Sequence, residues 1–411
     1  MKTRLPFIFI LVTLTLDAMG IGLILPVMPD LIREVTGGKL GEAAIWGGIL
    51  LTSFAVMQFL FGPTVGSLSD RFGRRPVLLV SLAVMAVDYV VMALAGSMWL
   101  LLVARMVGGI AAATQATALA FIADISKPED KSKNFGILGA AFGIGFVAGP
   151  AIGGLLAEFG TRAPFWAAAG LASCNFLLGW FVMPETVTDR IRRTFEWRRA
   201  NPFGALMALG KLPGVTRYLL LFFLYELAFI VYPATWAYFT QERFGWGPGM
   251  VGLSLALFGV SMAIVQGGLI RIILPRFGER TTVLYGFCFN AFAFLCLALV
   301  VSPIWALILT PMTALGAVVT PALQGIMSQK ASDNQQGELQ GVISSARSVA
   351  YIIGPLVMSQ IFAAFTLSPV LPYMPGAPFV VSMLLMGVCL TVFLTRPRRP
   401  KSPLTLDTES V

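Results

Sequence analysis

The 411 residues include no histidine, and Asp, Glu, Lys and Arg together make up only 12% of them. The first absence removes the commonest metal ligand and the usual general base near neutral pH, which argues against zinc sites and hydrolytic triads. The second removes the solvating surface of a water-soluble fold, where roughly 25% of residues are charged. Cysteine is scarce as well. Cys174, Cys288, Cys296 and Cys389 all lie in apolar runs without CxxC spacing, so they imply neither a disulfide framework nor a metal site and read as packing residues. No metal is expected.

What fills the chain is apolar: 57% of residues are hydrophobic, mean hydropathy is +0.83, and runs of membrane-spanning length recur from residue 5 to residue 396. The expected solvent is lipid. A net charge of +9 and a pI near 9.6 would raise nucleic acid as a partner. The basic residues, however, sit in short clusters between apolar runs, the pattern of topology signals, and no nucleic-acid partner is expected. Lys2 and Arg4 precede an apolar stretch that mimics a signal peptide. That stretch runs to Pro26, carries Asp17 and lacks a small-residue cleavage site, so it is expected to remain as the first helix.

A window of about twenty residues predicts helices near 5–27, 44–64, 77–95, 98–122, 134–158 and 164–183. A second set falls near 216–238, 249–272, 281–301, 304–328, 338–364 and 376–396. The expected architecture is therefore an all-α membrane protein of twelve transmembrane helices in two six-helix bundles, 1–183 and 215–396. A charged linker, 184–214, joins them, and a tail covers 397–411. With the N-terminus cytoplasmic, 23 of the 29 Lys and Arg fall in inside segments, whereas the outside loops hold only Arg33, Lys39, Arg162 and Arg243. That asymmetry predicts both termini in the cytoplasm and a multi-pass protein of the inner (cytoplasmic) membrane.

The halves repeat. RFGRR at 71–75 recurs as RFGER at 276–280, Gly149-Pro150 as Gly354-Pro355, and Gly136 as Gly341, each at an offset of 205 residues. A constant offset near half the chain length indicates duplication, and paired repeats with a site near the midplane between them are an architecture of secondary transporters. The charges do not follow it. At the same offset from Asp17, Asp88 and Arg105 stand Phe222, Ala293 and Thr310.

Two motifs carry mechanism. GSLSDRFGRRPVLL at 66–79 lies in the loop between the second and third helices. Its Gly66, Asp70, Arg71, Gly73, Arg74 and Arg75 suit a charge-paired latch on a tight turn, whereas an ordinary basic loop needs no fixed glycines. GILGAAFGIGFVAGPAIGG at 136–154 places Gly145, Gly149, Gly153 and Gly154 around Pro150, which lets another backbone approach and bends the helix. A plain small-residue packing face is the simpler reading, and the two are compatible.

Together with LDAMGIGLILPVMP at 16–29, Arg105, RFGWG at 243–247, PALQG at 321–325 and QQGELQG at 335–341, these residues resemble the major facilitator superfamily. Within it they resemble the tetracycline-resistance branch of the drug:proton antiporters, over nearly the entire chain. The resemblance implies the major facilitator fold, a monomer, and export of an amphipathic drug driven by the proton gradient. No cofactor is implied, and a divalent cation enters only as part of the drug. Asp17 and Asp88 match acidic positions of the family, Asp70 its loop acid, Arg105 its helix-four arginine, and 145–154 its antiport-type helix. Two positions depart: Met262 and Asn290 stand where typical tetracycline carriers have a histidine and an aspartate.

An Asp or Arg at the membrane centre costs roughly 2.5–3.5 kcal/mol, so Asp17, Asp88, Arg105, Glu226 and Arg347 are expected to face the bundle interior or a wet cavity, some as fixed ion pairs. A proton carrier needs a carboxyl whose proton affinity burial raises and a cation or water lowers. Asp17, Asp88 and Glu226 are the candidates, with Arg105 as partner and Glu226 as the replacement in the second half. Asp124, at a helix end, reads as structural. Gln58, Gln115, Trp236, Gln266, Asn290 and Gln324 are candidate substrate contacts, Asn175 a weaker one. The alternatives are a transporter of a nutrient or metabolite, an intramembrane enzyme and a channel. The enzyme lacks a base or phosphate loop here, the channel a selectivity loop.

Overall fold

In lipid every backbone N–H and C=O must be satisfied within the chain, and runs of this length can do so only as helices. The computed structural model describes residues 4–112, 114–188, 192, 201–204, 212, 214–332 and 335–395, and among them there is no strand. The tail at 397–411 and most of the 184–214 linker lie outside the described residues. The helices of the first half are α1 (Arg4–Ile24), α2 (Met28–Thr36), α3 (Leu40–Phe72), α4 (Arg74–Leu94), α5 (Met98–Ala111), α6 (Thr114–Ile125), α7 (Lys131–Leu156) and α8 (Ala163–Val182). Those of the second are α9 (Thr216–Phe229), α10 (Val231–Phe244), α11 (Pro248–Ile264), α12 (Ile270–Leu299), α13 (Pro303–Thr313), α14 (Val319–Lys330), α15 (Gln336–Leu367) and α16 (Ala377–Leu394).

Ten described stretches are long and apolar enough to cross a membrane. One of them, Pro248–Leu299, has 52 residues, about 78 Å at roughly 1.5 Å per residue and far more than one crossing. It breaks at Gly278, whose φ of 74° is left-handed, and so serves as two crossings. The short apolar helix α5, with α6 following it, lies outside the ten.

The 205-residue repeat is visible in backbone and side chains. Gly73 (φ 114°) and Gly278 (φ 74°) make the same left-handed turn in the two halves. Arg74 Nε donates to Asp124 at 3.2 Å, and at the same offset Gln329 Nε2 donates to Glu279 at 3.0 Å. Duplication has kept the pairing, with an acid in place of Arg74 and a neutral amide in place of Asp124.

Candidate functional site

Among the described residues, the contacts between the two halves run from one end toward the middle of the helices. Arg217 at the start of α9 donates to the carbonyls of Val392 and Phe393 at the end of α16 (2.5 and 2.9 Å), and Arg75 at the start of α4 to that of Trp180 at the end of α8 (2.7 Å). These contacts define a terminal face, where α1 begins and α16 ends. At the opposite, far face the halves touch. Gly41 of α3 packs against Thr366 and Leu367 of α15, Thr52 Oγ1 donates to the Ile352 carbonyl at 2.9 Å, and Gln241 Nε2 donates to Asp30 at 3.3 Å. Toward the terminal face nothing lies within 4 Å of where a Cβ would stand on Gly62, Gly66, Gly136, Gly139 or Gly143. The molecule is therefore closed at the far face, and the halves part toward the terminal face.

α7 is the seam that reaches both halves. A Cβ on Gly149 would stand 2.6 Å from the Met19 carbonyl oxygen, and on Gly145 and Gly153 closer still to those of Thr15 and Leu23. Three glycines four residues apart thus lie along three α1 carbonyls with the same spacing, a parallel backbone contact that no larger residue permits. Its other side meets α11, where Gly154 approaches the Pro248 carbonyl and Gly252 that of Pro150.

Around that seam the intramembrane charges sort into two pairs and one single acid. Asp88 of α4 and Arg105 of α5 form a buried ion pair. Gly108, one turn beyond Arg105, makes room for the carboxylate, since a Cβ there would sit 2.8 Å from Asp88 Oδ2. The guanidinium also stacks on Phe54 of α3 at 5.2 Å. Asp88 Oδ1 and Arg105 Nε find no hydrogen-bond partner among the described residues. In the second half Glu226 of α9 receives two parallel bonds from Arg347 of α15, both 3.2 Å. Asp17 of α1 is half-buried and has neither hydrogen bond nor ion pair among the described residues. One turn further along α1, Gly20 accommodates the hydroxyl of buried Tyr89, which lies in electrostatic reach of Asp17, Asp88 and Arg105. Tyr89 carried no charge or motif to single it out in the sequence; only its place beside Asp88 hinted at it.

The terminal-face loop is a network. Arg74 bridges Asp70 (2.5 Å) and Asp124 (3.2 Å) and donates to Ser69 Oγ at 2.6 Å. Glu185 accepts the backbone N–H groups of Arg74 and Arg75 (2.9 and 3.2 Å), capping α4 where its first amides have no helical partner. A Cβ at Gly73 would collide with that carboxylate. Arg75 stacks on Trp180 at 5.9 Å, and Arg71 is exposed over Phe72. Glu185 read in the sequence as the start of a linker, because a cap supplied from more than a hundred residues away leaves no local signature. Gly66 has no close neighbour.

The candidate substrate contacts separate by burial. Trp236 is 1% exposed and donates to Ser254 Oγ at 2.9 Å; Asn290 is 1% exposed and donates to the Gly286 and Gly316 carbonyls (2.8 and 3.0 Å). Both direct these donors inside the second half, while Asn290 Oδ1 finds no partner among the described residues. Asn175 is likewise buried and accepts from Thr13 at 3.0 Å. Gln58 and Gln266 are exposed and Gln324 half-buried, Gln266 within the π-helical turn Val265–Leu269. The side chain of Gln115 lies outside the described residues. Among the described residues, none of the other six hydrogen-bonds to Asp17.

Residues 10–355 and 273–410 match the model of the Major Facilitator Superfamily. The chain belongs to the major facilitator superfamily. It is 40% identical over 390 residues to the Escherichia coli "Tetracycline resistance protein, class C", covering 95% of this chain and 96% of that one. The class G protein of Vibrio anguillarum is 38% identical over 390 residues, covering 95% and 97%. Among solved structures, the human organic anion transporter MFSD10 superposes with a TM-score of 0.70 at 24% identity, covering 95% of this chain and 99% of that one. The last likeness concerns the fold alone. A superfamily of transporters accounts for the paired halves and the charges at the membrane centre, and the chain is a multi-pass membrane transporter.

Proposed function

We propose that this member of the superfamily is a proton-coupled antiporter that exports tetracycline or a related amphipathic drug by alternating access. The observation that carries the reading is Asp17: of the three intramembrane acids considered, it alone is uncompensated, while Arg105 holds Asp88 and Arg347 holds Glu226. A carboxyl without a fixed cation is free to take and lose a proton as the cleft opens to one side or the other. Where α7 meets α11 of the second half, Gly154 and Gly252 bring the backbones together, a smooth contact over which one bundle rocks without breaking interlocked side chains. Glu226, expected as the second-half coupling acid, has its charge neutralised by Arg347 in this conformation and belongs to the exchange only when that pair opens. With the terminal face in the cytoplasm of an inner-membrane protein, the conformation is open inward, and Asp70, Arg74 and Asp124 are the latch that must rearrange as that face closes. The substrate is supported by the tetracycline-resistance relatives, and the loss of the charged pair at Met262 and Asn290 leaves related amphipathic drugs alongside it.

Cells expressing the protein are expected to lose sensitivity to tetracycline, and Asp17→Asn to restore it at unchanged protein abundance. Everted vesicles should release protons from the lumen when the drug is added; a drug-dependent change of the opposite sign, or none, would exclude antiport. Resistance unaltered by Asp17→Asn would remove Asp17 from the mechanism.

A further inference from the structure

The two intramembrane ion pairs are not alike. In the first half both partners are sealed, with side chains 9% (Arg105) and 0% (Asp88) exposed. In the second, Glu226 is 11% exposed but Arg347 is 42% exposed. The guanidinium meets the carboxylate with Nε and Nη2 and packs on Phe222 at 5.2 Å, which fixes its plane and leaves the Nη1 edge without a hydrogen bond among the described residues.

That edge faces the cleft and not lipid. Along the half of α15 nearer Gln336, exposed Gln340, Ser344 and Tyr351 and half-buried Arg347 and Ser348 form a polar stripe; in the far half the exposed positions are Ile353, Val357, Gln360 and Ala364, apolar but for Gln360 near the helix end. Hydrocarbon tolerates the second stripe and not the first. Arg347 lies 11 residues into the helix from Gln336, about 16 Å along the axis of a helix of 32 residues. A pair that served only to join α9 and α15 would gain from burying both partners. Here the acid is withdrawn and the cation presented, so the wall of the cleft offers a rigid, planar donor group.

We propose that Arg347, held in plane by Glu226, is the docking point for an anionic oxygen of the substrate, an enolate or carboxylate attached to a flat ring system. A guanidinium fork suits such planar oxygens better than an ammonium point charge does. Tyr351, exposed one turn further along α15, supplies apolar surface near the charged edge, while Phe222, fully buried, backs the guanidinium. The inference rests on the transporter reading above and assigns the second half a role in substrate choice, while proton exchange stays with Asp17. Arg347 is a binding residue here and Glu226 a positioning one.

Two dyes with the same three-ring skeleton test it: fluorescein, which carries a carboxylate, and rhodamine 123, which is a cation. Binding to the full-length protein in nanodiscs is read by fluorescence anisotropy. Arg347→Gln should weaken fluorescein by about tenfold to a hundredfold, the usual loss for a charged hydrogen bond, and leave rhodamine 123 unchanged or tighter. Arg347→Lys should fall between. Arg347→Gln alone leaves Glu226 buried without its partner, so the double variant Glu226→Gln/Arg347→Gln is measured too; it should keep rhodamine binding and still lose fluorescein. Absence of fluorescein binding by the unaltered protein, equal loss of both dyes, or fluorescein binding insensitive to Arg347→Gln would each overturn the anion site. If these occur while the unaltered protein still confers tetracycline resistance, the exporter reading stands; if resistance fails while the dyes behave as expected, the anion site stands and the drug assignment falls.

Discussion

Alanine at the glycines of α7 should separate two kinds of glycine that look identical in the sequence. At Gly149 the new Cβ would stand 2.6 Å from the Met19 carbonyl oxygen and 2.8 Å from the Gly22 Cα, so α1 must retreat by about 0.8 Å to reach the 3.4 Å of ordinary contact. α1 has little room to do so, because its other side is tied to α8 by the buried Thr13–Asn175 hydrogen bond and by Phe9 against Gly179. Overpacking of this kind costs about 1–3 kcal/mol. Gly145→Ala and Gly153→Ala should lie at the upper end and Gly149→Ala lower, in the order of their approach to α1. Gly139→Ala and Gly143→Ala, on the same helix with nothing within 4 Å, should be neutral or gain up to roughly 1 kcal/mol from helix propensity. The assay is unfolding of the purified protein in mixed micelles, read by tryptophan fluorescence and circular dichroism. If all five variants shift by the same amount, the parallel glycine contact is not what holds α1 to α7.

Other outcomes follow from the charges. Asp88→Asn strands Arg105, 7% exposed, in the bundle and should cost about 3–5 kcal/mol in the same unfolding assay. Asp88→Asn/Arg105→Gln should recover most of that loss, and a double variant as unstable as the single one would contradict the pairing. Glu185→Gln should lower stability by about 1 kcal/mol through the weakened cap on α4, with Asp70→Asn additive to it only in part because both act through Arg74. At the far face, burial raises the proton affinity of Asp30 above that of a solvated carboxylate despite Arg33 and the Gln241 hydrogen bond. The closed arrangement therefore binds a proton there more tightly than an open, solvated one would, so acidification into the carboxylate range should favour closure and rising pH should weaken it. A spin-label distance between the Gly41 and Leu367 neighbourhoods should shorten as pH falls, and Asp30→Asn should flatten the response; an unchanged response in that variant would place the titrating group elsewhere.

Much of this was legible in one dimension. Lipid leaves a chain only helices, so apolar runs of sufficient length mark the crossings, and duplication leaves an offset that any alignment of the chain with itself recovers. The same logic marked Asp17, Asp88, Arg105, Glu226 and Arg347, because a charge is costly in hydrocarbon and stands out against it. Pairing was not legible. Arg105 has Asp88 as its partner 17 positions away, and Arg347 has Glu226 at 121, while Asp17 has none among the described residues. Nothing in the local sequence ranks these acids, since each is a carboxylate in an apolar run and only the approach of another helix decides which is compensated. Trp236 makes the same point in reverse: a polar atom in a helix reads as a contact for a ligand until the fold shows Ser254 already meeting it.

Composition and periodicity thus determined the membrane, the helices and the twofold scaffold, because those follow from the transfer of each segment from water to lipid, a property of the segment alone. Which acid stays free, which arginine leans into the cleft and which glycines carry a neighbouring backbone were decided by the tertiary structure, because each depends on distances between helices that the chain brings together only when it folds.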